Sequence, residues 1–146
     1  MPLCLWHRPA TRRPKSSRKK LVTETLAAHP ELTGVEIAAT PPGKAHCITI
    51  ASTEIKGIGE KCDKDEFAAM KTNKPFVERE NEAGKEVYDV TIPIHDSTGK
   101  VIATAGLDFK PEPNQTNDRI TQRSLQIAGE LDAKLPSKNK LFEPVS

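Results

Sequence analysis

The chain is poor in most of what would mark a catalytic, membrane-spanning or nucleotide-binding protein. Aromatic residues make up 4% of its 146 residues and hydrophobic residues 36%, so one modest aliphatic core is expected, with Phe67, Phe76, Tyr88 and Phe109 as its large members and Phe142 beyond it. The three cysteines, Cys4, Cys47 and Cys62, lack CxxC spacing and are too few for a disulfide scaffold. Their default reading is as small buried or surface residues; in an oxidising compartment Cys47 and Cys62 are the pair that would close a short loop between a strand and a helix. No apolar run is long enough to span a bilayer. The basic start is followed by LVTETLAA, where Thr23, Glu24 and Thr25 interrupt a secretory leader, so either the protein is not exported or Met1 is not its biological start. Gly57 and Gly59 are not followed by the lysine and serine of a phosphate loop.

What charge there is divides unevenly. The first 20 residues carry seven basic and no acidic side chains, and the other 126 carry 15 basic and 20 acidic ones. An acidic body behind a basic leader argues against a nucleic-acid-binding fold, whose basic surface should belong to the folded module. The leader alone could still touch phosphates or an anionic membrane.

Patterning divides the chain into a disordered basic tail over 1–17, with prolines at 2, 9 and 14; a domain over 18–135; and a tail over 136–146. Leu21, Val22, Thr25, Leu26 and Ala28 recur at helical spacing until Pro30, with His29 in the last turn as a capping group. Strands follow at Val35–Ala39 and Ala45–Ala51, joined through Pro41-Pro42-Gly43. His46 and Cys47 point to opposite faces, a poor geometry for one metal ion. Asp63 and Glu66 form a capping box opening a short helix with Phe67, Ala68 and Met70 on its apolar side, and the calcium-loop pattern is missing around them. A third strand is expected over Phe76–Glu80. A last helix begins at Thr116 or Asn117 and ends near Leu135, with Ile120, Ser124, Ile127, Ala128, Leu131 and Leu135 as one stripe.

Between them VYDVTIPIHDSTGKVIATAGLDF, Val87 to Phe109, reads as a β-hairpin turning through Asp96-Ser97-Thr98-Gly99. With His95 opposite Lys100, the register pairs Ile94 with Val101, Ile92 with Ala103, Val90 with Ala105 and Tyr88 with Leu107, giving an apolar face. The other face carries Asp89, Thr91, Pro93 and His95 against Thr104, Gly106 and Asp108. It is either a surface for a small ligand or simply wet.

The element order is that of an α+β, PAS-like antiparallel five-stranded sheet with a long N-terminal helix, a short helix between strands two and three, and a C-terminal helix. IGEKCDKDEFAAMKTNKP followed by VYDVTIPIHDSTGKVIATAGLDF also resembles the single Cache, or PDC-like, extracytoplasmic sensor domains of bacteria. The resemblance covers roughly residues 20 to 135 and rests on a proline-containing strand, a D-x-x-G-K turn and a small-residue strand ending in Leu-Asp-Phe. It implies a non-catalytic ligand sensor in the periplasm or outside the cell. In amino-acid-binding Cache relatives an aspartate at the place of Asp108 holds the ligand ammonium, but the arginine-x-tryptophan-tyrosine part of that pattern is absent here. Small carboxylates are common ligands of such domains, which directs attention to Lys74, Thr91, Thr104 and His95, with Asp89, Gly106 and Asp108 completing the expected site. No cofactor or metal is implied. The partners expected are a small molecule and, through the terminal helices, a second copy or another protein. The rival reading is a ligand-free interaction module acting through those helices. An enzyme would have to be assembled from Cys62, His95 and Asp96, which nothing local brings together.

Overall fold

The computed structural model describes residues 17–54 and 57–144. The basic tail expected over 1–17 lies, Ser17 apart, outside the described residues. In chain order the elements are α1 (Ser17–Ala28), β1 (Leu32–Ala39), β2 (Ile48–Ser52), α2 (Lys64–Thr72), β3 (Phe76–Glu82), β4 (Lys85–His95), β5 (Val101–Phe109), α3 (Asn117–Lys134) and a short 3-10 turn (Lys138–Phe142). The strands form one antiparallel sheet in the order β2-β1-β5-β4-β3. This is the expected α+β, PAS-like architecture.

Local chemistry accounts for the element ends. Asp63 accepts from the backbone N–H of Asp65 at 2.9 Å, and Glu66 reaches back to the Asp63 N–H at 3.1 Å, so the capping box is formed. Asn73 ends α2 in the left-handed conformation at φ 56°. The Thr116 hydroxyl accepts from the Arg119 N–H at 3.2 Å and starts α3. His29 lies just past α1, its ring held between Glu31 and Glu130.

One sheet face builds the core. Val35 and Ile37 of β1, Tyr88, Val90, Ile92 and Ile94 of β4, and Ala103, Ala105, Leu107 and Phe109 of β5 bury themselves against Leu21 and Val22 of α1 and Ile120, Ile127 and Leu131 of α3. The expected stripe of α3 is buried, Leu135 included. α2 packs on the opposite face, against β4 and β5, through Ala69.

Three expectations are corrected. The hairpin pairs Tyr88 with Phe109, Val90 with Leu107, Ile92 with Ala105 and Ile94 with Ala103, two residues away from the expected register. Asp96 is already bonded to Lys100 across the turn (N–H to O, 2.9 Å), and a bulge between Ile94 and His95 adds a second one-residue step. Two single steps restore side-chain parity, so the face assignment survives while every partner changes. Next, 136–144 is not a tail: Leu141 is wholly buried, Phe142 packs on the core with Arg18 over its ring, and the Ser17 N–H donates to Glu143 O at 3.0 Å. Finally, Phe67 and Phe76 are not core members, being 54% and 36% exposed.

The default reading of the cysteines also falls. Cys47 and Cys62 form a disulfide, placed there because the segment before α2 doubles back along β2. The Cys62 N–H donates to Cys47 O at 3.1 Å and the Thr49 N–H to Glu60 O at 2.8 Å.

Candidate functional site

The sheet face under α2 carries Thr91, Thr104 and Gly106 at its centre and an acidic band along one end that includes Asp89 and Asp108. Alternation along each strand puts Glu36 of β1, Asp108 of β5, Asp89 of β4 and Glu78 and Glu80 of β3 on this side. The register then sets Asp89 directly opposite Asp108 and Glu78 directly opposite Asp89. Like charges at facing positions repel.

Two glycines make room for the acids. A Cβ on Gly34 would stand 2.9 Å from Asp108 Oδ2, and one on Gly106 would stand 2.8 Å from Glu36 Cγ. Gly34 and Asp108 are cross-strand partners, as are Glu36 and Gly106, so each carboxylate lies over the bare backbone of the neighbouring strand. The missing side chain at Gly106 therefore houses Glu36, not an open void.

Crowding shows in the proton affinities. Burial, then the charges of Asp108, Glu80, Glu36 and Glu78, push Asp89 up from 3.8 to about 8. Burial and the charges of Asp108, Glu60, Asp63 and Glu54 raise Glu36 as well. Beside Asp89, one carboxylate oxygen from each of Glu78, Glu80 and Asp89 lies within 4.8 Å of the others, a grouping able to meet a cation. At the other end of the band, Gly34, Glu36, Ser52, Thr53 and Asp108 bound a recess of about 40 Å³. That space is of the order of one water molecule, or of a single ammonium head.

The remaining expected residues are placed elsewhere or used otherwise. Thr91 and Thr104 are buried on the face that α2 covers. Lys74 is exposed in the turn after α2 and does not line the recess. His95 joins three elements. Its backbone N–H donates to Asp132 Oδ1 at 2.7 Å, its Nδ1 lies 3.0 Å from Asp132 Oδ2 on α3, and its Nε2 meets the Asn73 side chain at the end of α2. The three enzyme candidates are not brought together: Cys62 is in the disulfide, His95 is in this clasp, and Asp96 accepts from Thr98 and Lys100 to close the turn. Those bonds hold the Asp96 carboxyl below its usual range.

Sequence reasoning missed Glu36, Glu78 and Glu80. The outward phase of Glu36 opposite a glycine was a usable signal, but only once β1 was known to lie beside β5. A wider cleft of about 520 Å³, near Phe109 at the start of α3, holds charges of both signs. Its Arg123 is already engaged by Glu31.

No family model matches the chain, and no curated protein matches it. Solved structures do resemble it in fold. A GAF domain, nlh2, of A. Aeolicus in an inactive state superposes with a TM-score of 0.57 at 14% identity, covering 91% of this chain and 90% of that one. A GAF sensor protein from Burkholderia vietnamiensis gives 0.54 at 12%, covering 87% and 81%. The inducer-binding domain of the PobR transcription factor from Acinetobacter, a double mutant bound to 3-hydroxybenzoic acid, gives 0.51 at 10%, covering 87% and 99%. These neighbours are GAF and inducer-binding domains, so the resemblance to Cache domains is overturned. A five-stranded antiparallel sheet with flanking helices is shared widely enough that a proline-containing strand and a D-x-x-G-K turn do not discriminate among its variants. The extracytoplasmic setting rested on that resemblance and is withdrawn with it. Among the described residues no helix is long and apolar enough to cross a membrane.

Proposed function

We propose that this chain is a small-molecule-binding sensor domain and that its ligand is an organic cation, an amine, received on the acidic band of the sheet. The observation that carries the reading is the facing row Asp108, Asp89 and Glu78, with Asp89 driven to about 8. A cation placed there would displace the proton that Asp89 otherwise keeps and pair with its carboxylate. The recess beside Asp108 suits an ammonium head, with Thr53 and Ser52 as further oxygen partners. Neighbours of the same fold that sense or bind small molecules support the sensor role.

A carboxylate, the ligand class expected from the sequence, is poorly matched to this face. In the recess it would approach Glu36, Glu54 and Asp108 together, while Lys74 stands away. Electrostatic complementarity favours the opposite sign.

The test is a thermal-shift panel on the full chain at pH 7.5 with monoamines, diamines, guanidines, magnesium, calcium and small carboxylates. Binding to the native state raises the melting temperature by mass action. The reading expects a saturable rise with amines that is lost in Asp108→Asn. A response to divalent cations alone would reassign the band to metal. No response to any cation would leave the rival interaction module, acting through α1 and α3, as the better account.

A further inference from the structure

We infer that the Cys47–Cys62 disulfide is a thiol-exchange site for a small anionic thiol, attacked at Cys62, and that its reduction frees α2 from the sheet. The inference goes beyond the amine reading, and its exchange step does not depend on it.

The disulfide sits in a cleft of about 270 Å³ whose walls include His46, Lys61, Phe67 and Met70. His46 and Lys61 are exposed beside the two sulfurs, and Phe67 keeps 54% of its surface in solvent. A buried structural staple needs none of this. A compact thiol bearing a carboxylate fits it, its charge facing Lys61 and His46 and its carbon chain against Phe67 and Met70.

Access selects the sulfur. Cys47 is only 6% exposed, whereas Cys62 is half-buried. An incoming thiolate attacks Cys62 Sγ, the new S–S bond forms there, and the Cys47–Cys62 bond breaks with its electron pair leaving on Cys47, which takes a proton. A second thiol attacks the mixed disulfide. It releases the small molecule as its own disulfide, and Cys62 leaves as a thiolate that takes a proton. Two thiols are oxidised and one protein disulfide is reduced.

The consequence follows from how α2 is tied down. Its N-terminal side is held by the disulfide next to its cap Asp63, and its C-terminal side by Asn73 against His95. Between those ties Ala69 is its one fully buried residue. Opening the first tie leaves a nine-residue helix with little apolar contact to retain it, and Thr91 and Thr104 lie on the face it covers.

The experiment uses the full chain carrying Cys4→Ser, so that Cys47 and Cys62 are the cysteines present. It is treated with 3-mercaptopropionate or with cysteamine, which differ in the sign of their charge. Peptide mass mapping of trapped adducts should place the mixed disulfide on Cys62, several-fold faster with the anionic thiol. Hydrogen exchange after full reduction should quicken at least tenfold in 64–72 and stay unchanged in β4 and β5. Adducts on Cys47, faster reaction with cysteamine, unaltered exchange in α2, or exchange rising equally through the central strands would each overturn the inference. Cysteamine is itself an amine, so the adduct mapping is repeated in Asp108→Asn; the adduct position and the exchange in 64–72 do not depend on the acidic band, and failure here and failure of the amine reading are separately visible.

Discussion

Asp89→Asn is the most informative single substitution. Asp89 titrates at about 8 in the fold against 3.8 for an unperturbed aspartate, because it is buried and faces Asp108 and Glu78 across β5 and β3. A carboxyl with a raised folded pKa keeps its proton in the native state over a range where the unfolded chain has already lost it. Its contribution to stability is therefore fully present below about pH 4 and is lost as the pH climbs towards about 8. Fully shielded from solvent, a carboxyl raised from 3.8 to about 8 would lose at most ~6 kcal/mol over that range. Part of the carboxyl meets solvent and the neighbouring charges are screened, so ~1–3 kcal/mol is the magnitude to expect. Asparagine keeps the shape and removes the titration. Urea unfolding at pH 5 and pH 8 should show the variant close to the parent at the lower pH and ~1–3 kcal/mol more stable at the higher one. Glu36 and Glu66 are also raised, so some decline with pH persists in the variant, and the difference between the two proteins isolates Asp89. Parallel stability profiles, or an asparagine variant weaker at pH 8, would refute the claim that the acidic row strains the fold.

Other perturbations probe separate parts of the molecule. Leu141→Ala should cost ~2–5 kcal/mol in urea, the range for truncating a buried leucine; an unchanged midpoint would restore 136–144 to the status of a tail. His95→Ala should cost ~1–2 kcal/mol through the lost ring contacts to Asp132 and Asn73, and should leave the amine response in thermal shift intact, since those bonds lie outside the acidic band. Gly106→Ala places a Cβ 2.8 Å from Glu36 Cγ, so Glu36 must swing away; amine titrations should show several-fold weaker binding, and urea unfolding a cost of ~1–3 kcal/mol. Thr116→Ala should cost ~1 kcal/mol as the cap of α3 is lost, readable by the same unfolding curve.

The parts of the fold legible in advance share one property: they depend on neighbours a few residues away in sequence. The Asp63–Glu66 box, the Thr116 cap, the stripe on α3 and the alternation of Val90, Ile92 and Ile94 with Asp89, Thr91 and Pro93 all follow from helical or two-residue spacing. The candidate site was legible only as a set of outward-facing positions. Reading the hairpin with a four-residue loop placed Asp89 opposite Gly106. The turn closes one residue tighter and a bulge adds another step, so Asp89 meets Asp108 instead. A two-residue error leaves the faces untouched and replaces a glycine partner with a second carboxylate.

The sequence by itself determined which segments become helices and strands, which side of each strand is apolar, and that the body of the protein carries more acid than base. Only the tertiary structure decided that β1 lies beside β5, so that Glu36 folds over Gly106 and Asp108 over Gly34, that Cys47 meets Cys62, and that Leu141 closes the core beneath α1. The physical reason is range. Periodicity and capping are settled by contacts within a turn or two of the chain, whereas the Cys47–Cys62 bridge, the pairing of β1 with β5 and the bond from Arg18 to Leu141 join residues 15 to 123 positions apart, and they are selected by burial of the whole rather than by any local preference.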